Sequence, residues 1–171
     1  MLKEAIELQQ KAVNELQEQL DLKNEITFKA PTGSGKTFMM ADFMNRVLSE
    51  RDDVIFLISS LSKGNLAKQN YDKFIEYSSA GRFQLLNPYL INTNISGEES
   101  LFIPLEYNVY LLPRDLYKAG GRLMQGSMES FLNAITMNKY FGGLEKKIIL
   151  IKDEWEPLPI DPYGAVPTRR C

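Results

Sequence analysis

The stretch APTGSGKT, residues 30–37, decides the fold of this chain. It lies between residues 26–29, a short strand candidate, and a run with apolar residues at helical spacing that extends to about Ser49. A glycine-rich turn between a strand and a helix directs successive backbone N–H groups at one point, and the positive end of the helix dipole adds to their attraction for anions. The general pattern of a phosphate-binding loop is G-x-x-x-x-G-K-[ST]. The sequence therefore predicts a nucleotide-binding loop that opens a helix.

The residue types in this loop predict distinct roles. Gly33 and Gly35 permit the backbone path, Lys36 is a candidate catalytic residue that places its ammonium on the β- and γ-phosphates, and Thr37 offers a hydroxyl to Mg²⁺. The predicted nucleotide-binding residues of the loop are Thr32, Gly33, Ser34, Gly35, Lys36 and Thr37. One departure from the pattern is Ala30, which stands where the first glycine usually stands.

The composition excludes several classes of protein. With 44% hydrophobic and 25% charged residues, the 171-residue chain suits one globular domain. It has no histidine and one cysteine, Cys171, so it has no Ser-His or Cys-His mechanism and no His- or Cys-cluster metal site. A net charge of -2 gives no global attraction for nucleic acid. No apolar run approaches the ~18 residues of a membrane span, so we expect a cytoplasmic protein with no membrane partner.

The order of candidate elements predicts an α/β fold. Residues 54–58 and 147–151 are apolar runs of strand length, typical of parallel strands that are buried on both faces. Residues 2–20 and 66–78 have helical periodicity, with Leu2, Ile6, Val13, Leu16 and Leu20 on one apolar stripe of the first helix. The polar Gln9 interrupts that stripe. Weaker patterns predict strands within residues 85–95 and 108–112 and a helix over residues 126–139.

Four segments resemble motifs of superfamily 2 helicases and translocases, and most closely those of the type III restriction (Res) subunit. APTGSGKT resembles the first motif, in which alanine is common at the first position. LQQKAV, residues 8–13, resembles the Q motif, and FLISSLSKGNLAKQNYDKF, residues 56–74, resembles motif Ia. KKIILIKDEWEP, residues 146–157, resembles motif II, although Glu156 replaces the usual His or Asp and Lys152 is an unusual charge before the box.

This resemblance implies a RecA-like three-layer sandwich with a mostly parallel sheet, helices on both faces, and ATP with Mg²⁺ as cofactors. It implies that Gln9 reads adenine, that Asp153 holds Mg²⁺ and that Glu154 acts as the general base for ATP hydrolysis. It also implies a DNA partner that is contacted by the loop after the strand of motif Ia. Hydroxyl, ammonium and main-chain groups there suit phosphate contacts, and the candidates are Ser60, Ser62, Lys63 and Gly64.

The predicted domain organisation is an incomplete motor. Residues 1–156 are expected to form the first RecA-like half of a DNA-dependent ATPase or translocase, and residues 157–171, with four of the eight prolines, an extended tail. A second RecA-like half, further domains or subunits, and the P-D-x(n)-[DE]-x-K pattern of the restriction nuclease are not found in this sequence. We therefore expect a fragment or truncated product that binds nucleotide but hydrolyses it barely when alone, because arginine fingers come from the second half.

Two other classes stay open on the sequence alone. One is a phosphate-loop module of another kind, either a small kinase or a GTP-binding switch. A kinase lid needs more arginines than the chain has, and residues 138–141, NKYF, begin the guanine-binding N-K-x-D pattern without its aspartate. The other is a catalytically inactive remnant that binds partners without turnover.

Overall fold

A computed structural model gives the structure of the chain for residues 2–26, 28, 30, 33–60, 65–91, 103–114, 133 and 146–153. Three helices and four strands lie in these ranges. They are α1 (Leu2–Gln19), α2 (Lys36–Glu50), β1 (Val54–Ser59), α3 (Leu66–Ser79), β2 (Pro88–Leu90), β3 (Val109–Leu112) and β4 (Lys147–Lys152). Helices α2 and α3 and strand β1 agree with the predicted elements to within about two residues, the usual uncertainty of an element boundary.

The strands form one parallel sheet in the order β2-β3-β1-β4. Strand β1 lies inside the sheet, where Phe56 pairs with Val109 of β3 on one side and with Ile149 of β4 on the other. All six residues of β1 are buried, which confirms the prediction of a strand covered on both faces. Strand β2 lies at one edge and begins with Pro88, a residue that lacks the N–H of an inner strand.

Alternate residues of the strands build two apolar layers, as the two-residue period of a strand requires. On one face, Val54, Phe56 and Ile58 pack with Val109 and Leu111 against residues of all three helices. On the other face, Ile55, Leu57 and Tyr110 pack with Ile91 and Ile103. The Tyr110 hydroxyl donates to the Pro104 carbonyl at 2.6 Å, and burial raises the pKa of Tyr110, so this donor stays protonated. The α/β class with a parallel sheet is confirmed.

Helix α1 packs along α2 through only part of its predicted stripe. Val13 is 1% exposed, and Leu16 and Leu20 pack against the same core. Polar bonds join the two helices as well, since the Arg46 guanidinium of α2 donates to Asn14 of α1. The prediction for Ile6 is wrong, because its side chain is 46% exposed. The helix begins before α2 offers a surface to cover it, and the side chain of Leu2 lies outside the described residues.

Two strand predictions need correction. Ile26 and Phe28, the described residues of the first strand candidate, are not in a strand, since no described strand lies beside them to complete a hydrogen-bonded ladder. Strand β4 exists but is not buried like β1, and Leu150 is 52% exposed. Its single described neighbour is β1, so one side of β4 has no described partner.

Other predictions lie outside the described residues. These are the strand continuation over 92–95, the tail over 157–171 and the helix over 126–139, except for Asn133, which is helical. Among the residues that the structure describes, no helix is long and apolar enough to cross a membrane.

Candidate functional site

The candidate site lies at the edge of the sheet where the parallel strands end. The N–H of Asp153, the residue directly after β4, donates to the carbonyl of Ser59, the last residue of β1, at 2.9 Å. The carboxyl edge of a parallel sheet is where α/β folds bind ligands, because helices begin there and their N–H groups are free. Helix α2 begins at Lys36 beside this edge, so the predicted phosphate loop and the predicted motif II residue meet there.

Lys36 and Asp153 form an ion pair across 117 residues of sequence. The Lys36 ammonium contacts Oδ1 of Asp153, which is buried, with a side chain 3% exposed. The Lys36 side chain is 34% exposed, so the cation borders solvent while the carboxylate is buried. A buried carboxylate needs a cation or hydrogen-bond donors, and this pair supplies the cation. The sequence predicted both residues for the site, and the structure brings them together.

Asn70 links the two groups that the sequence assigns to Mg²⁺. Its Nδ2 donates to Oδ2 of Asp153 at 2.7 Å, and its Oδ1 accepts from the Thr37 hydroxyl at 3.3 Å. Asn70 is 2% exposed and lies on the buried face of α3 between Ala67 and Phe74. The sequence analysis missed this residue. The signal that would have found it is a polar residue at an apolar-stripe position, which is the pattern noted for Gln9 in α1.

The phosphate loop has the backbone that the glycines predict. Gly33 and Gly35 have φ of 79° and 82°, in the left-handed region that residues with a Cβ rarely adopt. Gly35 is the N-cap of α2, and its carbonyl accepts from Met39 N–H at 2.9 Å. The Ser34 hydroxyl is buried and has no hydrogen-bond partner among the described residues. A ligand with acceptor oxygens would satisfy this hydroxyl together with the free N–H groups of the helix start.

Gln9 reaches the loop from α1. Its Nε2 donates to the Ser34 carbonyl at 2.7 Å, while the backbone of the loop passes so close that a Cβ on Gly35 would lie 2.6 Å from that nitrogen. This contact explains why a polar residue interrupts the apolar stripe of α1. It connects Gln9 to the loop backbone, and the reading of adenine by Gln9 stays a prediction.

An aromatic cluster holds the first turn of α2 against the end of α3. Phe38 lies edge-on to Tyr77 and Phe83, with ring centroids 5.6 and 5.0 Å apart, and Tyr77 contacts Phe83 at 5.6 Å. Such pairs each contribute about 0.5–1.5 kcal/mol beyond the burial of their area. Because Phe38 directly follows Thr37, the cluster fixes the position of the helix start that carries the loop.

Alanine at Gly35 is expected to destabilise the chain more than alanine at Gly33. Both positions have positive φ, which costs about 1–2 kcal/mol for a residue with a Cβ. A Cβ at Gly33 meets no atom of the described residues within 4 Å, whereas at Gly35 it displaces the Gln9 amide and breaks its bond to Ser34, for about 1 kcal/mol more. Urea unfolding of the two variants measures the difference. Adding Gln9→Ala to both should remove it, and a difference that persists in the double variants contradicts this account.

Several predicted residues are not tested by this geometry. Thr32, Ser62, Lys63, Gly64 and Glu154 lie outside the described residues. Ser60 is described and is 2% exposed, with a hydroxyl that has no partner in the described ranges. In this conformation the Ser60 side chain is shielded from a polymer, and its predicted contact with nucleic acid stays a prediction.

The donor set fits a magnesium ion that arrives with a nucleotide. In the described part of the chain, no cluster of three or more His, Cys, Asp or Glu could hold a metal alone. One buried carboxylate, Asp153, and one hydroxyl, Thr37, face the same edge and are joined through Asn70. Mg²⁺ takes one or two carboxylates and completes its octahedron with waters and substrate phosphates, so a site of this size suits it.

Comparison with known proteins agrees with this geometry. Residues 3–155 match the family model of the type III restriction enzyme, res subunit. No curated protein and no solved structure matches the chain. The matched range covers all four strands, the phosphate loop and Asp153. The chain therefore belongs to the type III restriction enzyme res subunit family, and it is the RecA-like, ATP-binding N-terminal domain of a superfamily 2 helicase.

Proposed function

We propose that this domain binds ATP with Mg²⁺ and hydrolyses it as one half of a DNA-dependent translocase of the restriction type. The observation that carries the proposal is the meeting of Lys36, Thr37 and Asp153 at the carboxyl edge of the sheet. A chance glycine-rich turn would not place its lysine on a buried carboxylate from a strand over one hundred residues away. The kinase and GTP-switch alternatives have no comparable support, because the family assignment favours a helicase module.

Different residues of the chain are proposed to contact the phosphates and the magnesium ion. The loop N–H groups and the free Ser34 hydroxyl surround the phosphates, and Lys36 leaves Asp153 to neutralise charge on the β- and γ-phosphate oxygens. Thr37 and Asp153 would hold Mg²⁺, which supplies charge neutralisation between the phosphates. We propose Glu154 as the base that orients the attacking water, a role that follows from its place after Asp153 in the motif II box.

DNA binding is the finer part of the proposal. The loop after β1 is proposed to contact the phosphate backbone through Ser62, Lys63 and Gly64, and Ser60, which is 2% exposed, is proposed to join only where its hydroxyl becomes uncovered. The loop begins at Ser60, directly after Ser59 of β1, and the Ser59 carbonyl accepts from the Asp153 N–H, so the start of the loop lies beside the nucleotide site. If the two sites are coupled, DNA alters nucleotide affinity by the same factor as nucleotide alters DNA affinity.

Calorimetry with the 171-residue chain tests the function without requiring turnover. ATP and ADP are titrated with excess Mg²⁺, alone and with a double-stranded oligonucleotide at low and at moderate salt. Nucleotide binding supports the ATPase assignment, and a shift in affinity with DNA that weakens with salt supports the DNA-dependent motor. The absence of nucleotide binding would favour the inactive remnant.

Gln9→Ala is expected to narrow the preference for ATP over GTP by about 5- to 150-fold, because loss of hydrogen bonds to the adenine edge costs about 1–3 kcal/mol. Gln9 also bonds the Ser34 carbonyl, which affects both nucleotides equally. The ratio of the two affinities therefore isolates base reading from the loop contact. Fluorescence competition with both nucleotides measures it, and Gln10→Ala, at the exposed neighbour, is the matched control. If the ratio of ATP affinity to GTP affinity is the same in Gln9→Ala and Gln10→Ala, Gln9 does not read adenine.

A further inference from the structure

Buried asparagine is costly in an apolar layer unless both ends of its amide are bonded. Asn70 occupies such a position, 2% exposed on the face of α3 that also buries Ala67 and Phe74. Its two partners in the described residues are Thr37 and Asp153, which belong to the nucleotide site. The burial of Asn70 is therefore compensated by the site and not by the surrounding core.

The direction of each hydrogen bond shows what Asn70 does there. The Thr37 hydroxyl gives its only hydrogen to Asn70 Oδ1, so the lone pairs of Thr37 Oγ1 are left to accept or to coordinate. The Asn70 amide nitrogen donates to Oδ2 of Asp153, while the other carboxylate oxygen of Asp153, its Oδ1, faces the Lys36 ammonium. When Lys36 moves to a phosphate, Oδ1 of Asp153 is released, and Oδ2 of Asp153 remains bonded to Asn70. One side chain thus orients both oxygens that the proposed metal needs.

We propose that Asn70 is a positioning residue that aligns Thr37 and Asp153 for magnesium, in the way that groups behind a metal site orient its ligands. The proposal rests on the proposed function, because it assumes Mg²⁺ bound with a nucleotide. Asn70 does not touch the nucleotide in this scheme. Its removal therefore affects the gain in affinity that Mg²⁺ provides and leaves metal-free binding intact.

The test compares ADP affinity in excess EDTA with ADP affinity in excess Mg²⁺, and the ratio of the two is the magnesium effect. Asn70→Leu keeps a similar shape and removes both hydrogen bonds, and Asn70→Ala is a second variant in case leucine does not pack. We expect the magnesium effect to fall about tenfold or more, the loss expected for a hydrogen bond to a charged group, with metal-free affinity unchanged. Asn45→Leu is the matched control, since Asn45 lies about two turns beyond Thr37 along α2 and accepts from the Leu85 N–H at 3.1 Å.

Each outcome decides the proposal. A reduced magnesium effect in the Asn70 variants, with the parent ratio in Asn45→Leu, supports it. An equal loss of affinity with and without Mg²⁺, or failure of both Asn70 variants to fold, overturns it, because Asn70 would then hold the fold and not the ligands. A magnesium effect that stays at the parent value also overturns it. If the parent chain binds no ADP under either condition, the proposed function itself fails and the inference falls with it.

Discussion

Lys36→Ala is expected to abolish measurable binding of ATP. A hydrogen bond between charged groups contributes about 1.5–3 kcal/mol, so loss of the ammonium alone weakens binding by about 10- to 150-fold. The structure adds a second effect. Without Lys36, no ammonium offsets the repulsion between the buried carboxylate of Asp153 and the incoming phosphates, and Mg²⁺ alone must balance these like charges. Calorimetric titration with ATP and Mg²⁺ measures the loss.

The same substitution is expected to lower the free energy of unfolding by about 2 kcal/mol. Removing one partner of a fully buried pair costs about 3–5 kcal/mol, and the cost is smaller here because Lys36 is 34% exposed. The matched control is Lys68→Ala, which breaks an exposed pair with Asp72 on α3 and should change stability by less than about 1 kcal/mol. If Lys36→Ala binds ATP as tightly as the parent chain, the phosphate-loop assignment is wrong.

The predicted parts of the site are those that local sequence determines. Glycine spacing predicts the left-handed backbone at Gly33 and Gly35, and the loop pattern predicts that Lys36 opens a helix. The place of Asp153 in the nucleotide site was predicted from the resemblance of residues 146–157 to motif II. Asn70 was missed because nothing local to α3 shows that its buried face meets Thr37 from another helix and Asp153, which follows β4 and is 83 residues away in sequence.

The sequence predicts the fold correctly where a strand is buried on both of its faces. The continuous apolar run of β1 predicts a strand covered on both faces, and the structure confirms it. Residues 147–151 have the same apolar pattern, yet β4 is half exposed, since its position in the sheet depends on which neighbours it pairs with. Ile6 likewise has the correct helical spacing but extends past its packing partner. Periodicity identifies the face of an element, and tertiary contacts decide how much of that face is covered.

Asp153→Asn is expected to separate two roles of the same carboxylate. In the structure Asp153 holds Lys36, so a nucleotide without metal must first break this pair to gain the ammonium. The fraction of chains with a free lysine limits the apparent affinity, as for any binding-competent minor state. Neutralising Asp153 frees Lys36, and metal-free ADP affinity should rise by about 5- to 10-fold, the equivalent of about 1–1.4 kcal/mol for a partly exposed pair.

With Mg²⁺ the expected result is the reverse. The variant loses the one described carboxylate that faces the magnesium position, so the ratio between affinities with and without Mg²⁺ should fall close to one. Asparagine keeps the size of the side chain, and its amide can still accept from Asn70, so the fold should be retained. Asp72→Asn, which neutralises the exposed pair with Lys68, is the matched control and should leave both affinities unchanged. If Asp153→Asn weakens metal-free binding, Lys36 is not restrained by Asp153 before the nucleotide arrives, and the competition between carboxylate and phosphate for this lysine is refuted.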